Sequence, residues 1–91
     1  MEFPFPDEEQ RRRIWEVTFP PGAPLAEDVD FRTLARAVRL SGGHIRNIGL
    51  AAAFRAAADG RVIRLEHLTQ AAHGEFRKLG QTWNGVGAGA A

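Results

Sequence analysis

The chain has 91 residues, a net charge of +1 and no cysteine. Its length limits it to one small domain, and the lack of cysteine excludes disulfides and thiolate metal sites. The balanced charge argues against the strongly basic surface that nucleic-acid binding usually requires. Neither an apolar run of about 18 residues nor a signal-peptide pattern is present, so we expect a cytoplasmic location and no membrane partner.

The first predicted helix covers residues 8–18. The preceding MEFPFP contains two prolines and is predicted to be extended, and Asp7 then serves as the N-cap. Acids and arginines are spaced i, i+4 in three pairs: Asp7–Arg11, Glu8–Arg12 and Glu9–Arg13. We therefore expect the triple arginine to be a solvated helix face, with a phosphate-binding patch as the alternative. The apolar side of this helix is predicted to be Ile14, Trp15 and Val17.

Two more helices are predicted after a loop over 19–29 that is rich in proline and glycine. Asp30 is the expected N-cap of a second helix over 31–39, and Ser41 that of a third helix over 42–58. The third helix has a predicted inward stripe of branched and small residues, which permit close helix contact: Ile45, Ile48, Gly49, Ala52 and Ala56.

A short extended piece over 61–65 precedes the last predicted helix, over 66–79. The expected fold is therefore all-α, a four-helix domain over 1–80 with short extended segments before the first and last helices. Residues 81–91 are mostly glycine, alanine and polar residues. We expect them to form a flexible C-terminal tail.

No group of residues has the spacing of a catalytic or metal site. His67 and His73 lack partners at metal-ligand spacing, and both are expected to be satisfied surface or boundary histidines. The string GVGAGA lacks the preceding strand and following helix that a dinucleotide fingerprint requires. No phosphate-loop motif G-x4-G-K-[ST] is present. We expect no catalysis from this chain alone.

Gly42 and Gly43 open the third predicted helix, where each glycine costs about 1 kcal/mol relative to alanine. Either the backbone needs a conformation that only glycine allows, or something approaches that backbone closely. A tight helix start capped by Ser41 accounts for one glycine. Two in succession leave open a ligand whose polar or anionic atoms face the N–H groups of the helix start.

Four segments, in this order, resemble the motifs of the small helical lid subdomain of AAA+ ATPases, and together they cover about residues 3–79. They are FPFPDEEQRRRIW, LAEDVDFRTLA, LSGGHIRNIGLAAAFRAA and VIRLEHLTQAA. They resemble, respectively, P-D-x3-R-x2-I of the first lid helix, D-V-D-x3-L-A of the second, the sensor-2 segment S-G-A-D-[IL] with its alanine-rich helix, and the final helix with the short extended segment before it. Each motif is weak singly, and the ordered set is what carries the resemblance.

The resemblance implies that ATP or ADP lies between this lid and a large P-loop subdomain, which would also hold the Mg²⁺. It assigns nucleotide contacts to five residues: Gly42, Gly43, Ile14, Thr18 and His44. The two glycines would contact the nucleotide through their backbone, Ile14 would pack on the adenine, and Thr18 would line the same pocket. His44 stands where many members carry an arginine that reaches the phosphates, so this chain departs from the pattern there. Arg46 is expected to face solvent or a neighbouring subunit.

The implied partners are the large AAA+ subdomain of the same polypeptide and neighbouring subunits, with a homo-hexamer as the expected assembly and a protein as a possible substrate. The Walker motifs would lie upstream, so Met1 is not expected to be the native start. A narrower resemblance is to the ATPases encoded beside bacterial contractile, phage-tail-like injection particles. It rests on SGGHIRNIGLAAAF together with the first segment.

Two other functions remain open at this point. The second and third helices could form a helix-turn-helix that reads DNA through His44, Arg46 and Asn47 at the front of the recognition helix. Alternatively, the domain could be a protein-interaction adaptor without a nucleotide role. An adaptor is expected to use exposed aromatic residues for the contact: Trp15, Phe19 or Trp83.

Overall fold

The computed structural model describes residues 6–20, 22–83 and 85, which contain four α-helices. They are α1 Glu8–Thr18, α2 Phe31–Ala37, α3 Gly42–Ala57 and α4 Leu65–Lys78. The predicted all-α fold is confirmed, and every helix boundary falls within two residues of its predicted position. Helix α3 packs between α1 and α4, and α2 packs against α1. Within the described residues, no helix is long and apolar enough to cross a membrane.

The extended piece predicted before the last helix pairs with the loop that precedes α2. The N–H of Ile63 donates to the carbonyl of Pro24 at 2.8 Å, and the N–H of Ala26 donates to the carbonyl of Ile63, also at 2.8 Å. These bonds form a single parallel bridge between Leu25 and Ile63. They fix the α1–α2 loop against the chain that leaves α3.

The packed part of the domain extends into the segment predicted to be the tail. The indole N–H of Trp83 donates to the carbonyl of Ala37 at 2.9 Å, and its ring stacks on Phe76 with 5.5 Å between centroids. Trp83 therefore joins the end of α2 to α4. Residues 84 and 86–91 of the predicted tail lie outside the described residues, as do residues 1–5 of the predicted extended start.

The helix starts differ in how they are capped. Asp7 accepts from the N–H of Gln10 at 2.8 Å, and the Gln10 side chain accepts from the N–H of Asp7, which completes a capping box. Asp30 accepts from the N–H of Arg32 at 2.9 Å. Ser41 holds the predicted N-cap position of α3, but its side chain makes no capping hydrogen bond. The prediction for Ser41 is correct in position and wrong about the bond.

One core joins the four helices. Its largest fully buried side chains come from all four helices and from the segment after α2: Trp15, Leu34, Val38, Ile45, Ile48 and Leu68. The inward stripe predicted for α3 is buried throughout. Val17 is 75% exposed, so its predicted place on the buried side of α1 is wrong.

Arg11 is buried, which corrects the expectation that the whole triple arginine is a solvated face. Its Nε donates to the carbonyl of Ala35 at 2.6 Å, and its Nη1 donates to the carbonyl of Pro6 at 2.7 Å. The predicted Asp7–Arg11 pair does not form. Burial, together with the charge of Arg39, lowers the pKa of the Arg11 guanidinium. Arg11 thereby joins α1 to the last turn of α2 through a carbonyl that a helix C-terminus leaves unsatisfied.

The other two arginines of the triplet lie at the surface, as predicted. Arg13 pairs with Glu9 at 3.4 Å, while Arg12 pairs with Glu16 at 3.3 Å instead of with Glu8. Pairs this exposed contribute little to stability.

Helices α1 and α3 approach each other closely at Gly49. A Cβ at this position would collide with Cγ2 of Thr18 and would lie 3.5 Å from Cζ of Phe19. The Thr18 hydroxyl donates to the carbonyl of Ile14 at 2.6 Å, so the methyl group of Thr18 is held toward α3. The absence of a side chain at Gly49 is therefore a packing requirement.

We predict that Gly49→Ala lowers the free energy of unfolding by about 1–3 kcal/mol, because the added methyl overpacks the contact with Thr18. Removing that methyl in Thr18→Ser should restore part of the loss in the double variant. Urea unfolding of the wild type, both single variants and the double variant measures the coupling. Additive effects of the two substitutions would contradict the close contact.

Candidate functional site

Ile14 and Gly42, two of the residues that the resemblance assigns to the nucleotide, lie side by side. With Pro6, Gln10 and Arg13 they line a concavity of about 390 Å³ between α1 and the start of α3, which we call the notch. A Cβ on Gly42 would lie 3.4 Å from Cδ1 of Ile14, an ordinary van der Waals distance. The notch therefore has an apolar wall on α1 and a bare backbone wall on α3.

The backbone conformation at Gly42 and Gly43 does not require glycine. They are the first two residues of α3, and neither has a positive φ. Alanine would fit at Gly42, and no heavy atom lies within 4 Å of the place where a Cβ on Gly43 would be. The fold of the described residues thus gives no conformational or steric reason for glycine at position 43, where alanine would favour the helix.

The first backbone N–H groups of α3 also lack a capping partner among the described residues. The first N–H groups of a helix have no partner within the helix, and the Ser41 side chain does not cap them. These N–H groups and the helix dipole favour the approach of polar or negatively charged ligand atoms.

His44 is held toward α4 by a buried carboxylate. Its Nδ1 lies 2.7 Å from Oε2 of Glu75, which is 5% exposed, and Asn47 donates to the same oxygen at 3.3 Å. Burial alone would raise the pKa of Glu75, but the hydrogen bonds from His44 and Asn47 and the nearby charge of Lys78 outweigh it and hold the pKa below its ordinary value. Since an ionised carboxylate only accepts, Nδ1 of His44 carries the hydrogen.

Thr18 and Arg46 lie beside the notch and do not line it. Thr18 lies one helical turn from Ile14 and lines a larger groove farther along α1 and α3. Arg46 lines the same groove, and its Nη2 lies 3.9 Å from the position of a Cβ on Gly42. The structure thus brings Ile14 and Gly42 to one surface, while His44 turns to α4 and Thr18 lines the neighbouring groove. Gly43 follows Gly42 in α3 but is not among the residues that line the notch.

His67 is buried, which corrects the prediction of a surface or boundary position, and it is satisfied. Its Nδ1 accepts from the N–H of Arg64 at 3.0 Å, so Nε2 carries the hydrogen and donates to Asp59 at 2.9 Å. Asp59, Glu66 and His67 have potential ligand atoms within 4.8 Å of one another. A metal on Nε2 would require the proton on Nδ1 and would break the bond that caps α4. His73 is exposed, as expected.

The geometry gives little support to a helix-turn-helix that reads DNA. Two of the three residues proposed to read bases, His44 and Asn47, are engaged by Glu75. Helix α2 packs against α1, whereas the two helices of a helix-turn-helix are expected to pack on each other.

Two of the three aromatic contact residues expected for an adaptor are wrong, because they are buried. Trp15 is fully buried and Phe19 is 7% exposed, while Trp83 is half-buried against Phe76. The large apolar side chains that the described surface does expose are Val17, Leu50, Phe54 and Leu79.

Comparison with known proteins identifies no relative: no family model matches the chain, and no curated protein matches it. The observations that bear on function are therefore the four ordered segments, the geometry of the notch and the exposed surface.

We predict that Glu75→Gln lowers the free energy of unfolding at pH 7 by about 1–3 kcal/mol, because it weakens charge-assisted bonds from His44 and Asn47. The folded-state pKa is depressed, so this stabilisation is present above the ordinary glutamate pKa and is lost as the pH falls through the folded-state value. Denaturation from pH 7 to pH 3 should show the difference between wild type and variant shrinking with acid. Glu66→Gln, exposed on the same helix, is the control. A difference that does not change with pH would contradict this role for Glu75.

Proposed function

We propose that the chain is the lid subdomain of an AAA+ ATPase and that the notch covers the adenine end of ATP or ADP. The observation that carries the proposal is the notch, where the apolar side chain of Ile14 faces the bare backbone of Gly42 at the uncapped start of α3. Gly43 follows Gly42 in the same turn, and neither its φ nor a neighbouring atom requires glycine there. A nucleotide against this backbone would account for both glycines.

The residues present fit an adenine nucleotide. Ile14 offers an apolar surface for the base, and Gly42 and Gly43 allow ligand atoms to reach the backbone of α3. The uncapped N–H groups there suit nitrogen or oxygen acceptors of the base and ribose. When bound, the nucleotide and its Mg²⁺ supply the phosphoryl-transfer chemistry, for which this chain provides no phosphate loop.

The proposed role of the lid is to close over the nucleotide and to transmit the nucleotide state to the neighbouring subunit. It would close over the base as one rigid helical unit and move with the nucleotide state against its own large subdomain and the next subunit of a hexamer. His44 supports transmission because its bond to Glu75 joins the start of α3 to α4. Within this family we propose the ATPases of contractile injection particles, on the wording of the α1 and α3 segments.

Titration of the chain with ADP, followed by amide NMR, tests the proposal. We expect shifts confined to Ile14, Gly42, Gly43 and their neighbours, with a Kd of about 1 mM or weaker, since half of the pocket is missing. Gly43→Val should remove these shifts if nucleotide atoms contact the backbone at position 43, because the valine side chain would occupy that space. Gly74→Val is the matched control, since a Cβ at Gly74 in α4 also meets no heavy atom within 4 Å.

Two results would contradict the proposal. Shifts that persist in Gly43→Val would place ADP elsewhere on the chain. Low-micromolar affinity for ADP would mean that the chain holds a complete site and is not half of one. Thermal unfolding of both valine variants checks that the fold is retained.

A further inference from the structure

The larger groove, which lies farther along α1 and α3 than the notch, has the surface of a docking site. Its volume is about 690 Å³, and it lies between the end of α1, the outer face of α3 and the loop after α1. Val17 and Leu50 line it and are 75% and 61% exposed. Exposed apolar side chains gathered at one concavity mark an interaction surface.

The outer face of α3 has the spacing of a helix-packing seam. Arg46, Leu50, Ala53 and Ala57 recur at i, i+4, i+7 and i+11, and all four line the groove. This is the repeat along which a second helix packs. The inner stripe of α3 is already buried in the core, so α3 is apolar on two faces and only one of them is covered within the described residues.

The groove walls favour a helix over an extended peptide. Most backbone groups of α1 and α3 are bonded within their own helices, the last carbonyls of each helix excepted, and the third wall includes Pro20 and Pro24, which have no N–H. An extended peptide would therefore bury most of its own backbone groups without partners. A helix satisfies its backbone internally and presents only side chains.

The two positive charges that line the groove favour a partner helix with negatively charged side chains. Its charged lining residues are Arg46 and Arg61, and neither pairs with a carboxylate among the described residues. Arg46 lies on the second turn of α3, and Arg61 lies beyond its end, where its N–H donates to the carbonyl of Ala56 at 2.7 Å. Arg46 and Ala57 are eleven residues apart in α3, which corresponds to about 16 Å. Since Arg61 lies just beyond Ala57, the two arginines stand at opposite ends of the apolar seam.

Arg61 is held at its end of the groove in a strained conformation. Its φ is +70°, and it is the only residue other than glycine with positive φ in the described part of the chain. The left-handed region is unfavourable for a side-chain-bearing residue. Glycine or asparagine would be easier to accommodate there, so the position carries a cation at a cost to the local backbone.

We propose that this groove binds an amphipathic α-helix of a protein partner, with an apolar stripe over Leu50 and Ala53 and carboxylates about three turns apart that meet Arg46 and Arg61. The inference does not rest on the nucleotide-binding proposal, because Val17, Leu50 and Arg61 lie outside the notch.

A synthetic peptide of about 18 residues tests the charge and the seam together. Its helix is fixed by a lactam bridge on the solvent face, leucines form one stripe, and two glutamates on that stripe stand 11 residues apart. The control peptide has lysines in place of the two glutamates. Fluorescence anisotropy with the full chain should give at least about tenfold tighter binding of the acidic peptide, with a difference that shrinks at high salt.

Variants of the chain locate the binding. Leu50→Asp should abolish it, and Arg61→Gly should weaken it about fivefold or more without destabilising the fold, since glycine accepts the positive φ. Arg61→Glu should shift preference toward the lysine peptide. Arg77→Gln, which removes an exposed charge from α4, should change nothing.

Three results would overturn the proposal. Equal binding of the two peptides would show an apolar surface without the stated charge preference, and no binding of either would show that the groove does not take a helix. Self-association of the chain that Leu50→Asp abolishes, measured by analytical ultracentrifugation, would identify a second copy as the occupant.

Discussion

Helices α1 and α3 meet where Gly49 leaves space for the methyl group of Thr18 and the ring of Phe19. The bond from the Thr18 hydroxyl to Ile14 keeps that methyl pointing at α3. No side chain separates the two helices at this point. Ile14 lies beside Gly42 toward the start of α3, where both line the notch, and Val17 and Leu50 line the groove farther along. Both concavities therefore lie along the line where α1 and α3 meet.

The two concavities have different chemistry. The notch combines an isoleucine with bare backbone and open N–H groups, which suits a flat ligand with polar edges. The groove combines a seam of apolar side chains with a cation at each end, which suits a helical protein segment. Arg46 lies between them: its position in α3 belongs to the groove seam, and its guanidinium reaches toward Gly42. A partner in the groove and a ligand in the notch would thus lie on opposite sides of the same arginine.

The helices could be predicted from the sequence because their caps and apolar periods are local signals. The partners of the two buried charged side chains, Arg11 and Glu75, could not be predicted, although the burial of each had a signal in the sequence. Arg11 falls four residues before Trp15, on the buried stripe of α1, and Glu75 falls on the stripe of α4 that contains Ala71, Ala72 and Phe76. A charge on an apolar stripe indicates a buried partner. The partners, the carbonyl of Ala35 and the side chain of His44, depend on how separate helices pack, which no local spacing reveals.

The site was predictable to a similar degree. The small residues of α3 indicated close helix contact, but only the packing shows that Gly49 needs its missing side chain and Gly43 does not. The apolar period of α1 places Ile14 near Thr18, but it does not show that the two residues line different concavities. The sequence predicts Val17 on the apolar side of α1 with Ile14 and Trp15, whereas the helical period turns it outward, and it is exposed.

The reading frame upstream of Met1 in the native gene provides the most direct test of the lid assignment. The account predicts a phosphate-loop motif with its lysine, followed by a strand that ends in acidic residues, within about 200 residues, the size of one large subdomain. Both should be joined to this sequence without a break in the frame. A frame that begins at Met1, or an upstream domain without a phosphate loop, would contradict it. The notch would then need another ligand, and the helix-binding groove would become the leading functional surface.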